Sequence, residues 1–563
     1  MSTKGKVIGK VSATEKNPST IDFFYFWMDS NNDDLSPFDV VMVENHNKSI
    51  TYAIVEEINH VTDSSSHFAS YISSEFGSLV SEQLQPGNTN RLSFSYVKAK
   101  VVHNTENSYT PVMHDSPVCL CTPSGIREAL GLNEVKNPLT CGYMEMYGNK
   151  VKVDINDKFL IGPDGAHLNV SGISGLACKT SYTMFLMNAL QQKYRKLWEI
   201  SDPEDKPQKI AYLIFNVKGR DLLTLDVPND KLTEKQKKVY TEELGLKAEP
   251  FKQVYYYYPY GNRPSRSYTQ SNADQDDIQR QFIDKNACRY FYNFESCRDK
   301  LQYLFANEPD QSGTLESIIS HILDYGQPFD KSITTWKDFY NVLNDMVNKG
   351  GVNQQSTPIA LSSWKKFARI VKKFQSEDLF GDMGKDKDDT SDLTSHLFDN
   401  LHANDVKVID IAQLDPSIQG FVFGDVIQQV VERMSAKDKD TPDKIVIFVD
   451  ELNKYASTDV PKSSPILRHL LDVAERGRAL GIILFSVEQF RSAIHDRVKG
   501  NCANSAYGRT NFVEVTKPDY QFFGNIYKNM MTRLAPGDYI ISNPALRSLV
   551  SIKFPYPTFK SNN

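Results

Sequence analysis

The chain has 563 residues, of which 24% are charged and 40% hydrophobic, and its formal net charge is −6. This length is too great for one hydrophobic core and predicts about two or three domains of a soluble globular protein. The charge argues against a uniformly basic DNA-coating protein, although a local basic channel remains compatible with it.

The sequence favours the reducing cytoplasm. No apolar run approaches the roughly 20 residues that span a bilayer, and the N-terminus lacks the apolar core of a signal peptide. The seven cysteines do not suggest a disulfide framework, and Cys119 and Cys121 make a lone C-x-C without a second pair. We therefore predict a cytoplasmic protein without a membrane segment or a zinc site.

Short strand-like runs separated by polar turns fill residues 1–115, and their spacing predicts a small β-barrel. Residues 116–226 follow as a connector, with a helix near Ser124–Leu130, and the first part of an α/β core. The strand-like runs are Lys6–Val11, Ile21–Trp27, Val40–Val43, Thr51–Ile58 and Leu92–Val102.

The stretch His167–Leu190 reads as a buried strand, a glycine-bearing turn, Lys-Thr and an apolar helix. This is the layout of a phosphate-binding loop, in which backbone N–H groups and a helix N-terminus point at a polyphosphate. In this interpretation Lys179 reaches the β- and γ-phosphates of ATP and the Thr180 hydroxyl holds Mg²⁺. The predicted nucleotide-binding residues are Gly172, Ser174, Gly175, Leu176, Ala177, Cys178, Lys179, Thr180 and Ser181.

The loop departs from the usual pattern in two ways. Cys178 replaces the glycine that normally precedes the lysine, and the loop from Gly172 to Lys179 is one residue longer than G-x-x-x-x-G-K-[ST]. A non-glycine residue restricts the backbone if the turn needs a positive φ. An ordinary strand-to-helix turn with a surface lysine is the alternative interpretation, and the altered loop leaves the hydrolysis rate more open than ATP binding.

Regular α/β alternation stops between residues 227 and 404, where the sequence is polar and mostly helical by period, and this predicts an insertion within the core. Tyr255–Tyr258 is a run of four tyrosines that favours a strand packed on a neighbour over a base-stacking site. The acidic segment Glu377–Asp392 predicts a mobile loop. The predicted helices are Leu232–Leu246, Ile278–Ala306, Leu315–Leu323, Thr335–Asn348 and Ser362–Gln375.

A second motif lies in the continuous apolar run from Lys444 to Glu451, which is typical of a central parallel strand covered on both faces. Its two terminal carboxylates fall where ligands bind in open α/β sheets. Asp450 would hold the hydration shell of Mg²⁺, and Glu451 would polarise the attacking water. A core strand that ends in a solvated acidic turn is the alternative, but the two motifs in this order favour an ATPase.

Strand, helix and strand patterns recur from residue 405 to residue 563 and imply right-handed crossovers in a parallel sheet. The predicted fold class is therefore α/β: a P-loop NTPase core with a parallel sheet, a small N-terminal β-barrel and a long helical insertion. The predicted units are residues 1–115, 116–226, 227–404 and 405–563, of which the second and fourth form the core.

The order of these parts resembles the HerA–FtsK group of ring ATPases, specifically HerA-like bacterial proteins. The likeness covers roughly residues 1–226 and 405–557, and the ordered set of motifs is more specific than any one of them. The segments that carry it are the barrel opening Ile8–Val11, Asp164–Leu168 before the phosphate loop, the acidic strand end Phe448–Asn453, the Gly-Arg segment Arg476–Gly481, the strand ending in glutamine Phe485–Gln489 and the closing segment Arg533–Lys553.

Members of this group are hexameric, ATP-driven DNA translocases with nucleotide between neighbouring subunits and DNA in the central pore. The resemblance implies that Arg478, with Arg476 as second choice, reaches the γ-phosphate held by the adjacent subunit. It also implies that Gln489 senses the γ-phosphate or helps to orient water and that Arg509 lies at the nucleotide site. A solvated arginine at a helix end is the alternative for Arg478.

HerA-like proteins commonly pair with a nuclease, and bacterial relatives pair with nuclease or sirtuin-like NAD-hydrolysing effectors in antiphage defence. The resemblance therefore implies a homo-hexamer whose N-terminal barrel docks such an effector, with the insertion as the competing platform. A ring-shaped ATP-binding scaffold that assembles and regulates an effector without translocating DNA is the alternative function. A degenerate, non-hydrolysing scaffold is a third, against which the retention of Glu451 argues.

Overall fold

The computed structural model describes residues 3–29, 35–64, 66–67, 93–175, 178–202, 205–306, 308, 310, 312–348, 359–381, 390–399, 401–437 and 441–561. Two of the predicted nucleotide-binding residues, Leu176 and Ala177, lie outside the described residues. The middle of the acidic segment predicted as a mobile loop also lies outside them.

Six antiparallel strands close into the predicted N-terminal barrel, in the order β1-β2-β5-β4-β3-β6. The sixth strand lies just past the predicted boundary at residue 115, pairs with β1 and β3, and so extends the barrel to Cys121. A separate apolar cluster fills the interior. The strands are β1 (Lys4–Val11), β2 (Phe23–Met28), β3 (Val40–Glu44), β4 (Ile50–Thr62), β5 (Ser93–Asn104) and β6 (Pro117–Cys121).

The connector contains the predicted helix, and Pro at its start together with a hydrogen bond from the Gly125 amide to the Thr122 hydroxyl explains where it begins. Two further connector strands form a hairpin that joins the large sheet. The elements are α1 (Pro123–Ala129), β7 (Pro138–Met146), β8 (Asn149–Asn156), β9 (Leu168–Ser171), α2 (Lys179–Ile200) and β10 (Ile210–Asn216).

The segment 227–404 adds three strands to the parallel sheet as well as helices. The four-tyrosine run forms β11 as predicted, but the helix predicted over Ile278–Ala306 is wrong, because β12 interrupts it. Alternate burial of its residues against the sheet decided this local conformation. The elements are α3 (Glu234–Lys238), β11 (Val254–Pro259), α4 (Gln275–Ile283), β12 (Ala287–Phe291), α5 (Phe294–Cys297), α6 (Thr314–Leu323), α7 (Trp336–Asn348), α8 (Leu361–Val371), β13 (Thr390–Asp392) and α9 (Leu393–Asp399).

The last part of the chain resumes α/β alternation and finishes with a small antiparallel group of strands. None of the helices in the described part of the chain is long and apolar enough to cross a membrane. The elements are β14 (Val406–Asp410), α10 (Pro416–Ala436), β15 (Lys444–Asp450), α11 (Asn453–Ala456), α12 (Pro465–Leu480), β16 (Ile482–Glu488), α13 (Asp496–Lys499), β17 (Asn504–Tyr507), α14 (Phe512–Val515), α15 (Asn525–Met531), β18 (Asp538–Ser542) and β19 (Val550–Lys553).

One large sheet organises everything outside the barrel. Its order among the described strands is β13-β12-β11-β14-β10-β15-β16-β9-β17-β18-β19-β7-β8, and the strands from β13 to β17 run parallel. All residues of β10, β15 and β16 are buried, which is the pattern expected of strands covered on both faces. The predicted α/β class, with a parallel core sheet and a small N-terminal barrel, is confirmed.

Two apolar clusters cover the opposite faces of the sheet. In β10, Tyr212 and Ile214 belong to one cluster, whereas Leu213 and Phe215 belong to the other, because successive strand residues point to opposite faces. Helix α2 packs in the first cluster, and α10 and α12 pack in the second. Helices of the inserted segment pack in the second cluster as well, so the insertion shares the core of the sheet domain.

A buried ion pair joins the inserted segment to the core. The ammonium of Lys300 lies 2.9 Å from a carboxylate oxygen of Asp425 on α10, and both side chains are almost fully buried. Tyr292 also donates a hydrogen bond to Asp425. Burial raises the pKa of Asp425 to about 6, although Lys300 opposes that shift. Removing one member of such a pair leaves a buried charge without its partner.

We predict that Lys300→Met destabilises the protein by about 3–5 kcal/mol because the Asp425 carboxylate loses its counterion in the interior. Lys300→Met/Asp425→Leu should recover part of this loss, since the second change removes the stranded charge. Thermal and urea unfolding measure both effects. The matched control is Lys237→Met, which breaks an exposed pair with Glu234 and should change stability by less than about 1 kcal/mol. A single variant as stable as the wild type would contradict the prediction.

Candidate nucleotide-binding site

The predicted phosphate loop joins β9 to α2 at the carboxyl end of the parallel sheet. Lys179 is the first residue of α2, and its ammonium donates hydrogen bonds to the Gly172 carbonyl at 2.7 Å and to the Ser174 hydroxyl at 3.4 Å. The side chain curls back over the loop and is buried, and burial lowers the pKa of Lys179. The lysine is therefore positioned at the centre of the concavity that the loop forms.

Cys178 stands in the left-handed region, with φ +48° and ψ +37°, immediately before α2. The turn therefore needs the positive φ that glycine normally supplies at this point, and a side chain there costs about 1–2 kcal/mol of conformational energy. Gly175 also has a positive φ of +80°, and a Cβ on it would meet open space. Gly175 and Cys178 thus both adopt a left-handed conformation in this turn.

Asp450 ends β15 opposite the start of α2. The Thr180 hydroxyl donates a hydrogen bond to one oxygen of Asp450 at 3.2 Å, and the other carboxylate oxygen is buried without a hydrogen-bond partner in the described part of the chain. A hydroxyl beside a carboxylate with an unsatisfied oxygen is a donor set that suits Mg²⁺ with several of its own waters. The residues present therefore fit the predicted metal, with Thr180 and Asp450 as its holders.

Glu451 follows Asp450 and lies between two lysines. Lys218 contacts Glu451 at 3.0 Å and Asp450 at 3.3 Å, and Lys454 contacts the second Glu451 oxygen at 3.0 Å. Burial acts to raise the pKa of Glu451, but the two lysines outweigh it and hold the pKa below its usual value. The carboxylate stays ionised at neutral pH, as a base that accepts a proton from water requires.

The phosphate loop, Asp450 and Lys218 border a cavity of about 250 Å³, whereas Glu451 is not among its lining residues. Its loop side is formed by Ser174, Gly175, Cys178, Lys179, Thr180 and Ser181, and Asp450 lies among the lining residues. The opposite side comes from the segment after β10, from Val217 to Leu222, and from Phe559 and Ser561 near the end of the chain. Phe559 reaches this position through a bridge to Pro228, which no local sequence pattern predicted.

Strand β16, which lies between β9 and β15 in the sheet, ends in a buried glutamate that the sequence analysis did not predict. Glu488 is fully buried, accepts a hydrogen bond from the Asn169 amide, and has a second carboxylate oxygen without a hydrogen-bond partner among the described residues. Arg491 donates to the Asn169 oxygen. The predicted sensor Gln489 is the next residue and is exposed. A charged residue at the end of an otherwise apolar strand is the sequence signal that could have identified Glu488.

The predicted arginines lie elsewhere. Arg478 is exposed near the start of β15, hydrogen-bonds the Asp164 carbonyl at 3.4 Å, and lines a cavity of about 540 Å³ at the amino edge of the sheet. Arg476 is exposed and pairs with Asp472. The carbonyl of Arg509 accepts a hydrogen bond from the Ile173 amide at 2.8 Å, but the Arg509 side chain is absent from the described lining of the nucleotide cavity. The structure thus brings together the lysine, threonine and acidic residues but not the arginines.

Glu488 predicts a specific pH dependence of stability. Burial raises its pKa from 4.5 to about 8, although Arg491, Asn169 and Lys179 oppose the shift and Asp450 adds to it. The folded protein therefore binds more protons than the unfolded chain between these values, so its free energy of unfolding falls as pH rises through this window. We expect Glu488→Gln to weaken this decline in thermal unfolding measured between about pH 5 and about pH 8. Glu316→Gln, an exposed control, should keep the wild-type profile, and parallel profiles for Glu488→Gln and wild type would disprove the assignment.

No protein-family model and no curated protein matches the sequence. Among solved structures, the chain is similar to the bacterial conjugative coupling protein TrwBdeltaN70 in its unbound form, with TM-score 0.42 and 10% identity over 75% of this chain and 91% of that chain. VirB4 of Thermoanaerobacter pseudethanolicus gives TM-score 0.40 and 10% identity over 74% and 96%. The plasmid coupling protein TrwB in complex with a non-hydrolysable ATP analogue gives a TM-score of 0.38 and 12% identity over 70% of this chain and 87% of that chain.

Proposed function

We propose that the protein is a Mg²⁺-dependent ATPase that works as a hexameric DNA translocase together with an effector, a nuclease or a NAD-hydrolysing enzyme, in antiphage defence. The observation that supports the ATPase is the contact between the Thr180 hydroxyl and Asp450 beside the loop-bound Lys179. The resemblance of the ordered motifs to HerA-like proteins supports the rest of the proposal: the DNA-translocating motor, the hexamer, the effector partner and the role in defence. A ring-shaped scaffold that binds ATP without moving DNA is the second candidate.

Each residue of the site has a role in ATP hydrolysis. The loop amides and Lys179 would bind the β- and γ-phosphates, since the lysine ammonium is held in the loop by carbonyl and hydroxyl oxygens that phosphate oxygens can replace. Thr180 and Asp450 would hold Mg²⁺, which neutralises developing phosphate charge when bound. Glu451 would accept the proton of the attacking water.

Lys218 would regulate when Asp450 and Glu451 can take part in hydrolysis. Its ammonium contacts both Asp450 and Glu451, so it neutralises the two carboxylates that the metal and the attacking water require. A bound triphosphate offers the same lysine a stronger anionic partner. Movement of Lys218 from the carboxylates to the phosphates would free Glu451 to act as a base.

We expect Lys179→Ala to weaken ATP binding because the loop loses its only cation that contacts Gly172 and Ser174 among the described residues. Glu451→Gln should keep binding and lower turnover by about 10²–10⁴-fold, since it removes the base and leaves the phosphate cradle. Fluorescent-nucleotide titration and phosphate release measure the two effects. Lys365→Ala and Glu316→Gln, both exposed and distant from the loop, serve as controls. Equal turnover in wild type and Glu451→Gln would reject this assignment.

The position of Arg478 supports action on a neighbouring subunit. It lies near Lys444 at the start of β15, while Asp450 ends the same strand about 20 Å away. An arginine at this edge cannot reach the phosphates of its own site, yet it is exposed to an adjacent molecule. The ring arrangement would place it against the nucleotide of the next subunit, where its charge would stabilise the transition state.

We predict that Arg478→Ala subunits and Glu451→Gln subunits, each inactive alone, regain part of the ATPase activity when mixed. Mixed rings contain interfaces at which an intact Glu451 meets an intact Arg478. Turnover across a series of mixing ratios, with mass determination by light scattering, tests this. Arg476→Ala is the matched control and should be active alone. A monomer at micromolar concentration with ATP and partner present would count against the ring.

The barrel is the proposed effector platform. It carries exposed apolar residues on four of its strands, which suit contact with a protein partner. The competing platform, the segment 227–404, is built into the parallel sheet and shares its core. The exposed apolar residues among the described residues of the barrel are Val7, Ile21, Trp27, Ile58, Phe94, Tyr109 and Met113.

We expect Trp27→Asp/Phe94→Asp to abolish association with the effector while ATP binding persists, since both side chains are exposed on the barrel surface. A variant that lacks the barrel, with a chain that starts at Thr122 after β6, should also lose effector association and keep ATP binding. Ile200→Asp, at an apolar residue that is exposed outside both the barrel and the segment 227–404, is the control. Pull-down of the native complex measures association. Full effector binding by the deletion variant would move the docking site to the inserted segment.

DNA-stimulated turnover distinguishes the translocase from the scaffold. A motor that moves along DNA should hydrolyse ATP faster when DNA is added, and its DNA binding should weaken steeply with salt because phosphate contacts release counterions. A scaffold should show neither response while its assembly still depends on ATP. These two measurements separate the candidates without knowledge of the effector.

A further inference from the structure

Exposed aromatic and basic residues recur along residues 509–533, between β17 and β18, and a hydrogen bond from the Thr510 amide to the Met531 carbonyl joins the two ends of this segment. Phe512 is 69% exposed, Val513 is 65% exposed and Phe522 is 70% exposed. The segment is otherwise well ordered by packing, since Tyr507 contacts the rings of Tyr520 and Phe523. We call Phe512, Val513, Phe522, Lys517 and Arg533 together the 509–533 surface.

The charge of this segment is unbalanced. Lys517, Lys528 and Arg533 form no ion pair within the described residues. Its two acidic residues are already engaged: Glu514 is buried and accepts hydrogen bonds from Ser492, and Asp519 pairs with Lys499. The 509–533 surface is therefore locally cationic in a chain whose formal net charge is −6.

Large apolar side chains that are two-thirds exposed lose the stabilisation that burial would give, and they cluster at contact sites. Cations among them select an anionic partner. A single-stranded nucleic acid offers both features at once, because its unstacked bases lie against aromatic rings and its phosphates lie against lysine and arginine. A protein partner would use the aromatic rings but would leave the unpaired cations unexplained.

We propose that the 509–533 surface binds single-stranded DNA, a proposal that rests on the DNA-directed function proposed above and assigns it to named residues. Phe512 and Phe522 provide ring faces for bases, and Lys517 and Arg533 bind the adjacent phosphates. Because every base can stack on an exposed ring, we expect this surface to bind single-stranded DNA without sequence specificity.

The same segment is hydrogen-bonded to the phosphate loop and to the segment that follows β16. The Arg509 carbonyl accepts from the Ile173 amide in the phosphate loop at 2.8 Å. Glu514 accepts from the amide and hydroxyl of Ser492 at 2.8 and 2.7 Å, three residues after Gln489. These two contacts would connect movement of the phosphate loop, or of the segment after β16, to the segment that carries the DNA-binding residues.

The test is fluorescence anisotropy of labelled oligothymidylate with the full-length chain, with a duplex of the same length as a second probe. Phe512→Ala/Phe522→Ala should weaken binding of the single strand by about tenfold or more and leave nucleotide binding unchanged. Lys517→Gln/Arg533→Gln should lower the slope of log affinity against log salt by about 0.7 per lost contact. Tyr556→Ala, which removes an equally exposed ring outside the surface, is the control.

Unchanged affinity of the aromatic variant for the single strand overturns the proposal. Altered sedimentation of that variant with unchanged DNA affinity also overturns it, since the surface would then contact protein. ATP hydrolysis by wild type separates the two levels of inference. Hydrolysis without single-strand binding rejects the surface and keeps the ATPase, whereas phenylalanine-dependent DNA binding without hydrolysis rejects the ATPase and keeps the surface.

A third variant tests the coupling. Glu514→Gln keeps an oxygen for one Ser492 donor but loses the second acceptor, so it loosens the link and leaves the 509–533 surface intact. We expect wild-type affinity for oligothymidylate, wild-type basal turnover and at least a twofold loss of the DNA stimulation of turnover. Undiminished stimulation would show that Glu514 does not transmit DNA binding.

Discussion

The parallel register of β9, β16 and β15 is the constraint on which the rest of the site depends. Glu488 lies beside Ser171, and Asp450 lies beside Val487, so the three strands end at the same level. This alignment sets the phosphate loop that follows β9 against the carboxylates that end β15. A shift of two residues in either pair would move Asp450 about 7 Å along the strand and separate it from Thr180.

At the carboxyl edge of these strands, each lysine of the site contacts oxygen atoms of neighbouring residues. Lys218 lies against Asp450 and Glu451, and Lys179 lies against loop oxygens, so the two lysines are held on different partners. Glu488 lies deeper, and burial keeps its proton at neutral pH, which avoids another negative charge beside Asp450. An ionised Glu451 carboxylate and a protonated Glu488 carboxyl therefore lie at the ends of neighbouring strands.

The inserted segment changes the architecture more than its helical pattern indicated. Its strands β11, β12 and β13 continue the parallel sheet beyond β14, and the buried pair between Lys300 and Asp425 joins it to α10. Because its helices share an apolar cluster with the core, a partner bound to this segment would act on the same rigid body as the nucleotide site. Gln281 from α4 also donates a hydrogen bond to the carbonyl of Leu223, which follows the cavity-lining residues Asp221 and Leu222.

The sequence by itself determined the class of the fold, the barrel, the order of the two motifs and the elements that carry them. Continuous apolar strands, glycine-bearing turns and strand-like spacing are local patterns, so they could be interpreted without a structure. The tertiary structure decided what depends on contacts between distant segments. It placed β12 within a region of helical period, brought Lys218 and Phe559 to the cavity, turned Glu488 inward in place of Gln489, and set Arg478 at the opposite edge. Side-chain direction and long-range pairing follow from sheet register and burial, which no short stretch of sequence specifies.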